Sequence, residues 1–356
     1  MSLRMILARS TNRRWRDTVK LPAARLMLYA SHSTSKKFGN MLLAKSQKWL
    51  RRDRVLGMPY RYVIDPTNVC NLRCPLCPTG LGTLGRERGR LEMEKYRHLI
   101  DQIAPYAYSV ELYNWGEPFL HPEIFDMIRY ASERRIIVKL SSNLNRFNRE
   151  MAARTVESGL DWILVSVDGA TQETYEKYRV GGKLERVFEN IRLLTEAKKE
   201  AGSKSPFIML RLLVNRYNEG EIQKLREMSD DLGADAFTIG GLYIDTNDPK
   251  QVEEWLPAQE ALSFYDYSAE KKETVWHCAD LWEGMTINWD GGLAPCCFLH
   301  QKANDYENAF DRPLKEIWNG DAYFSSRRVF AIGGSKDGPR KTICTVCKGR
   351  PQYLKD

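Results

Sequence analysis

No uncharged apolar run in the 356 residues approaches the ~18 that a membrane-spanning helix needs, so a transmembrane span is excluded. The longest candidate, Leu26 to Ser35, is too short and too polar. Cysteine is missing from the long stretch between Cys77 and Cys278, and the eight cysteines fall in two groups, 70–77 and 278–347. A chain of this length buries enough apolar surface to stand without crosslinks, so these groups do not read as a disulfide scaffold. They read as metal ligation in a reducing compartment, and the protein is expected in the cytoplasm. Acids are scarce at the start: residues 1–57 hold 14 Lys and Arg against Asp17 and Asp53 alone. The formal charge of +8 is therefore +12 on this arm and −4 on the remainder. A basic body that would track nucleic acid is absent. The charged fraction of 28% and a negative mean hydropathy describe a soluble chain.

From Tyr60 onward, short β-rich runs alternate with amphipathic stretches. Strands are expected at 61–65, 108–114, 136–142, 162–168, 207–214 and 236–240. Helices are expected at about 91–104, 122–134, 147–158, 184–200 and 219–232. Pro122 reads as an N1 proline, and Gly159 and Gly233 as helix C-caps. Six such repeats predict an α/β fold with a parallel sheet and right-handed crossovers. Six units are too few for a closed eightfold barrel, so a partial (β/α)6 TIM-like barrel is expected, with its chemistry at the C-terminal strand ends. The pattern breaks after Tyr243. A polar stretch at 247–275 is followed by a hairpin signal, Met285 to Trp289, a turn at Asp290-Gly-Gly292, and a return from Leu293 to Cys297. A helix should follow Pro313. The expected organisation is a basic, partly helical arm at 1–57, the barrel at 58–245 and a small α+β cluster-binding domain at 246–356.

Cys70, Cys74 and Cys77 stand in the run Asn68-Val-Cys-Asn-Leu-Arg-Cys-Pro-Leu-Cys-Pro, on the loop after the first strand. Three thiolates leave a tetrahedral metal site one ligand short. The same arithmetic leaves one iron of a cubane cluster without a protein ligand. Gly116-Glu117-Pro118 follows strand two, Asn143 ends strand three, and Ser166-Val-Asp168-Gly169 ends strand four. Arg179 lies ten residues past Gly169, and Val214-Asn215 ends strand five. Each has an ordinary structural reading, Glu117 as a turn acid, Asp168 as an N-cap, Arg179 as a helix-surface charge. In order and at successive strand ends, the set resembles the radical S-adenosylmethionine (radical SAM) superfamily over about residues 60–245.

That resemblance implies a [4Fe–4S] cluster on Cys70, Cys74 and Cys77, with SAM as cofactor. It implies that the Gly116, Glu117, Pro118 loop meets the methionyl ammonium and that Ser166 and Arg179 meet the SAM carboxylate. Asn143 and Asp168 complete the cofactor-binding set. The residue before the third cysteine is usually aromatic in the family and packs by the adenine. Here it is Leu76, so a backbone contact to the base is what remains. In the family an electron, supplied by a reductant such as flavodoxin or ferredoxin, cleaves SAM to methionine and a 5′-deoxyadenosyl radical that abstracts hydrogen from an unactivated C–H bond. Gly80-Leu-Gly82-Thr-Leu-Gly85 matches a dinucleotide fingerprint, but it follows a cysteine loop rather than a strand. These glycines are expected to wrap the cluster loop instead.

Cys278, Gly291-x4-Cys296 and Cys344-x2-Cys347 resemble the single-cluster "twitch" form of the SPASM extension. That implies one auxiliary [4Fe–4S] cluster on Cys278, Cys296, Cys344 and Cys347. Cys297 is the spare, expected as a buried thiol, although Cys296 and Cys297 could exchange roles. A four-cysteine zinc site has the same spacing. Single-cluster relatives include a dehydrogenase acting on an aminocyclitol. Oxidation of a sugar, cyclitol or related alcohol is therefore the leading reaction, with Tyr113, Asn114, Trp115, Arg211 and Tyr243 as pocket residues. Alternatives are maturation of a peptide and modification of a lipid or lipid-linked glycan. The competing class is a metal-stabilised interaction protein, which the conjunction of Glu117, Ser166 and Arg179 opposes. Among the histidines, His121 is expected to orient the Gly-Glu-Pro loop, His277 and His300 to flank cluster cysteines and tune them, and His98 to lie on a helix surface.

The arm contains Leu21 to Tyr29 and Phe38 to Arg52. The second segment reads as a basic amphipathic helix with Phe38, Met41, Leu42, Trp49 and Leu50 on one side. Two readings stand, peripheral contact with an anionic membrane or a helix packed over the open side of the barrel. Its Arg-rich, Ser-rich, acid-poor composition also suits an organelle transit peptide.

Overall fold

The computed structural model describes residues 20–242, 244–245, 248–263, 278–335 and 337–347. Two arm helices, α1 (Lys20–Ser31) and α2 (Ser35–Trp49), precede six β/α units. The strands are β1 (Arg61–Ile64), β2 (Ser109–Glu111), β3 (Ile137–Ser142), β4 (Trp162–Ser166), β5 (Phe207–Val214) and β6 (Ala236–Gly241). They alternate with α3 (Met93–Ile103), α4 (Ile124–Ser132), α5 (Arg149–Glu157), α6 (Gln172–Tyr178), α7 (Leu184–Glu200) and α8 (Ile222–Asp231). A hairpin of β7 (Gly284–Ile287) and β8 (Leu293–Ala294) follows, then α9 (Leu314–Trp318) and α10 (Asp321–Phe330). The strand order is β6-β5-β4-β3-β2-β1-β7-β8, with every pair from β6 to β7 parallel. Helical periodicity supplies the covering layer. In α3, for example, Met93, Tyr96, Leu99, Ile100 and Ile103 form one buried stripe. Strand β4 is buried at all five residues, as a strand covered on both faces should be.

Gly159 and Gly233 sit just past α5 and α8 with φ of 83° and 73°, the left-handed C-cap geometry expected of them. Pro122 is a correction: α4 starts at Ile124, so the proline belongs to the preceding turn rather than to N1. Strand β2 ends at Glu111, three residues short of the expected end, because Tyr113 to Trp115 turn away into the site. Helix α6 is an element the sequence reading lacks. It is short, but Thr171 and Thr174 cap it reciprocally.

The C-terminal hairpin extends the barrel sheet. Strand β7 runs parallel to β1, Arg61 opposite Gly284 through Ile64 opposite Ile287, and β8 closes on β7 antiparallel. Buried Arg86, from the segment after the first cysteine loop, ties this hairpin down. Its guanidinium reaches Asp290 at 2.5 Å and both oxygens of Asp305 at 2.7 and 2.8 Å.

The arm helices cap the barrel base, where the strands begin. Tyr29 stacks on Tyr108 at 5.0 Å, and Leu28 packs against Trp162, Leu164, Met209 and Ala236. Helix α2 turns Lys37, Ala44 and Gln47 inward. The expected apolar side is therefore not the packed one: Met41 alone of that set packs against Ala44, Tyr60 and Tyr108, while Phe38, Leu42, Trp49 and Leu50 are exposed. No helix among the described residues is long and apolar enough to cross a membrane.

Candidate active site

The cysteine loop leaves β1 at its C-terminal end and is held against two neighbours. The Glu117 amide donates to the Val69 carbonyl at 2.9 Å. A Cβ on Gly116 would lie 1.9 Å from the Thr67 carbonyl oxygen, so glycine alone permits that approach. Gly80 is equally constrained, since its Cβ would meet the Cys74 backbone at 2.4 Å. Of the glycines in the false dinucleotide fingerprint, Gly80 alone packs on the cysteine loop; Gly82 faces open space and Gly85 faces Gln301. His121 braces the Gly-Glu-Pro loop, with Nε2 on the Leu91 carbonyl at 2.9 Å and Nδ1 accepting from the Glu123 amide at 3.2 Å.

Cys70, Cys74 and Cys77 line one cavity of about 240 Å³ at the C-terminal strand ends. Gly116, Glu117, Asn143, Ser166 and Arg179 share its wall. Leu76, Pro118 and Asp168 do not. Leu76 instead packs in a small apolar cluster with Leu72, Tyr178 and Trp255, and Asp168 sits behind Arg179 as its ion-pair partner. Three donors approach the sulfurs: the Leu72 amide at 3.5 Å and Asn143 Nδ2 at 3.9 Å from Cys70, and Arg179 Nη1 at 3.7 Å from Cys74. Donors to sulfur suit thiolates that carry a cluster. Burial, with Glu117 adding to it, pushes the Cys70 thiol up to about 12. Cluster binding therefore has to displace protons from this site.

Glu117 is fully buried and accepts from Ser142 Oγ at 2.7 Å, the Asn143 amide at 2.8 Å and the Phe119 amide at 3.3 Å. Burial still raises its pKa, since those donors only partly offset the lost hydration. Arg179 is driven the other way. Burial alone would lower it, but Asp168 and Cys74 outweigh burial and hold the guanidinium firmly charged. Arg211 is lowered by burial, and Asp168 compensates only in part.

Of the expected pocket residues, Tyr113, Asn114, Trp115 and Arg211 all reach this cavity, while Tyr243 and His277 lie outside the described residues. Glu111, Ser142 and Cys297 also line it, and no spacing in the sequence marks them. Cys297 is half-buried rather than buried. It forms part of the catalytic wall, whereas its neighbour Cys296 faces the other C-terminal cysteines. Burial raises Cys278, Cys296 and Cys344 together, and each is raised further by neighbouring thiols of the set, Cys347 acting on Cys344. Tyr306 Oη lies 3.3 Å from Cys344 Sγ. Among the described residues no three such donors already stand at metal-ligating spacing. The donor type itself, a set of four thiols, suits an iron–sulfur cluster or zinc. His300 bonds the Leu84 carbonyl at 3.1 Å and lies edge-on to Trp115. It ties the hairpin return to the segment after the cysteine loop. His98 is exposed on α3.

Residues 64–229 match the radical SAM superfamily, and residues 278–348 match SPASM, an iron–sulfur cluster-binding domain. The chain is 26% identical over 321 residues to an AdoMet-dependent heme synthase of Methanosarcina barkeri, covering 79% of this chain and 88% of that protein. It is 29% identical over 224 residues to mycofactocin maturase MftC of Mycobacterium ulcerans, covering 62% of this chain and 58% of the maturase. Streptococcus suis SuiB bound to S-adenosylmethionine shares the fold, with a TM-score of 0.61 and 17% identity over 82% of this chain and 72% of SuiB. With the cysteine loop at the end of β1 and the four later cysteines beyond the barrel, the chain belongs to the radical SAM superfamily, carries a C-terminal SPASM iron–sulfur domain, and has [4Fe–4S] clusters and SAM as its cofactors.

Proposed function

We propose that this radical SAM enzyme abstracts a hydrogen atom from a C–H bond of a polar substrate seated against Asn114, Trp115 and Arg211, and leaves that substrate oxidised by two electrons. One leaves with the hydrogen atom, and the second would pass to a cluster on the C-terminal cysteines. The observation that supports this most directly lies on the cavity wall. Asn114 Nδ2, Trp115 Nε1 and Arg211 Nε are buried donors with no partner in the protein. Folded chains seldom leave such groups unpaired, and three on one wall suit a ligand rich in acceptor oxygens. Tyr113 Oη donates to Glu111 Oε2 at 2.9 Å, and Lys139 Nζ pairs with Oε1 at 3.5 Å. Burial alone would raise Glu111, yet these partners hold it below the usual carboxylate range. It therefore stays ionised and can accept a hydrogen bond from a substrate hydroxyl.

When bound at Cys70, Cys74 and Cys77, the cluster supplies the electron that cleaves SAM. Glu117, Asn143, Ser166 and Arg179 then act as the SAM-holding residues, and Glu111, Tyr113 and Arg211 as the substrate-facing ones. A sugar, cyclitol or related alcohol suits that wall. The second reading is peptide maturation, favoured by the likeness to mycofactocin maturase. The arm gives it no further support, because among the described residues both arm helices are engaged at the barrel base.

The test is anaerobic turnover with dithionite, SAM and deuterated candidate substrates, read by mass spectrometry. Transfer of deuterium from a carbinol carbon to 5′-deoxyadenosine, with a carbonyl product, supports alcohol oxidation. Transfer from a peptide with no transfer from alcohols selects the second reading. Absence of any SAM cleavage in the cluster-loaded protein would overturn both.

A further inference from the structure

Helix α2 has two opposite faces with opposite fates. Lys37, Ala44 and Gln47 point at the barrel base and are 2%, 1% and 8% exposed. Polar bonds hold that face in place. Lys37 Nζ donates to the Arg135 carbonyl at 2.5 Å, Asn40 bridges the Met58 amide and carbonyl, and Gln47 Oε1 accepts from the Gly57 amide at 3.0 Å. Lys48 pairs with the buried carboxylate of Glu283. Phe38, Leu42 and Trp49 are spaced four and seven residues apart, so they share the outward stripe. There Phe38 and Leu42 are 50% exposed and Trp49 is 80% exposed. Leu50 and Leu56, and Leu26 and Met27 on α1, are exposed as well. Single exposed apolar side chains need no explanation, but a row of them marks an interaction surface.

Charge decides what covers it. Lys45 lies within the stripe and Arg52 follows the end of the helix, and both are exposed. Residues 1–57 carry a net +12. The partner must therefore offer apolar matter to the stripe and negative charge to its rim. An anionic bilayer offers both at adjacent depths, and a tryptophan at the end of a basic helix suits the boundary between them.

We infer that α2 lies on an anionic membrane surface, with Phe38, Leu42 and Trp49 at the acyl boundary and the lysines and arginines among the headgroups. The helix need not leave the barrel to do so, because different faces serve the two contacts. Orientation follows. Helix α2 sits where the strands begin and the cysteine loop where they end, so the catalytic mouth is held off the bilayer by roughly 15–25 Å, a strand length. Membrane contact therefore lends no weight to a lipid-embedded substrate.

The test is co-sedimentation of the full-length, cluster-loaded protein with vesicles of phosphatidylglycerol and phosphatidylcholine, and of phosphatidylcholine alone. Binding is expected to the anionic vesicles at low salt, to fall as salt shortens the Debye length, and to be weak without anionic lipid. The variant Phe38→Gln/Leu42→Gln/Trp49→Gln should bind at least tenfold more weakly while retaining helix content and SAM cleavage. Lys45→Glu/Arg52→Glu should lose binding comparably. No sedimentation at low salt, or wild-type binding by the triple variant, would overturn the inference. So would a dimer in solution that the triple variant dissociates, since a second copy would then be the occupant.

Discussion

Arg179 Nε is paired with Asp168 Oδ2, and the other side of the same guanidinium faces Cys74 Sγ at 3.7 Å. Asp168 is fully buried and also accepts from the Leu213 amide at 2.6 Å. The acid thus fixes the arginine beside the cysteine loop before any ligand arrives. Arg179→Ala should cost about 3–5 kcal/mol of stability, because it strands a buried carboxylate. It should also weaken SAM binding roughly ten- to hundredfold, the worth of a charge-assisted hydrogen bond. The double change Asp168→Ala/Arg179→Ala should recover most of the stability and none of the SAM affinity. Equilibrium SAM binding beside thermal unfolding separates the effects, and normal SAM affinity in the double variant would remove Arg179 from the SAM site.

Glu117→Gln should leave iron content unchanged and lower SAM affinity about tenfold. With its carbonyl at the Oε1 position, glutamine can still accept from Ser142 Oγ and the Phe119 amide, but its amide hydrogens would confront the Asn143 amide. Iron analysis with SAM titration checks this. Lost iron would mean that Glu117 chiefly supports the cysteine loop.

The two adjacent cysteines should behave differently. Cys296→Ala should lower iron by about four per chain, one cubane, while sparing some SAM cleavage. Cys297→Ala should keep all the iron and alter substrate turnover instead, since its side chain lines the catalytic wall. Replacing Cys70, Cys74 and Cys77 together should abolish 5′-deoxyadenosine formation. Equal iron loss from Cys296→Ala and Cys297→Ala would contradict the division drawn between them.

Asp65, at the end of β1, gives the fold a pH dependence. It is fully buried, and burial lifts its pKa from 3.8 to about 8, with the Trp115 and Gly116 amides and Arg86 offsetting part of the rise. Between those values the folded state binds more protons than the unfolded chain, so stability falls as pH rises from about 4 to about 8. The slope is at most about 1.4 kcal/mol per unit. Asp65→Asn should flatten that dependence and be relatively most stabilising near the top of the window. Parallel slopes for wild type and variant, measured by unfolding across that range, would refute it.

The site was legible where residue type, order and strand position coincided. Cys70 to Cys77, Glu117, Asn143 and Ser166 all follow strands that periodicity alone could place, and a parallel barrel sends such residues to one end. Glu111 and Cys297 were not legible, because nothing near them in sequence states that β7 will pair with β1 and bring its return loop to the cavity. The arm shows a different limit. Periodicity revealed two faces on α2 but left open whether the apolar one meets a membrane or packs over the barrel. Carbonyls of Arg135 and Met58 and the buried acid Glu283 reward the polar face instead, and those partners are remote in sequence.

The pairing of β7 with β1 has a mechanical consequence. Cys70 lies a short loop beyond β1, and Cys296 two residues beyond β8, which is two strands across the same sheet. The roots of these loops are thus two strand spacings apart across the sheet, roughly 10 Å, and the loops leave it at opposite ends, because β8 runs antiparallel to β1 and β7. Backbone hydrogen bonds set that spacing, and Arg86 clamps it from the side. A hinge between barrel and hairpin would break that ladder. The two cysteine sets therefore move as one body, and an electron passing between them would cross a gap fixed by the sheet rather than by the sway of separate domains.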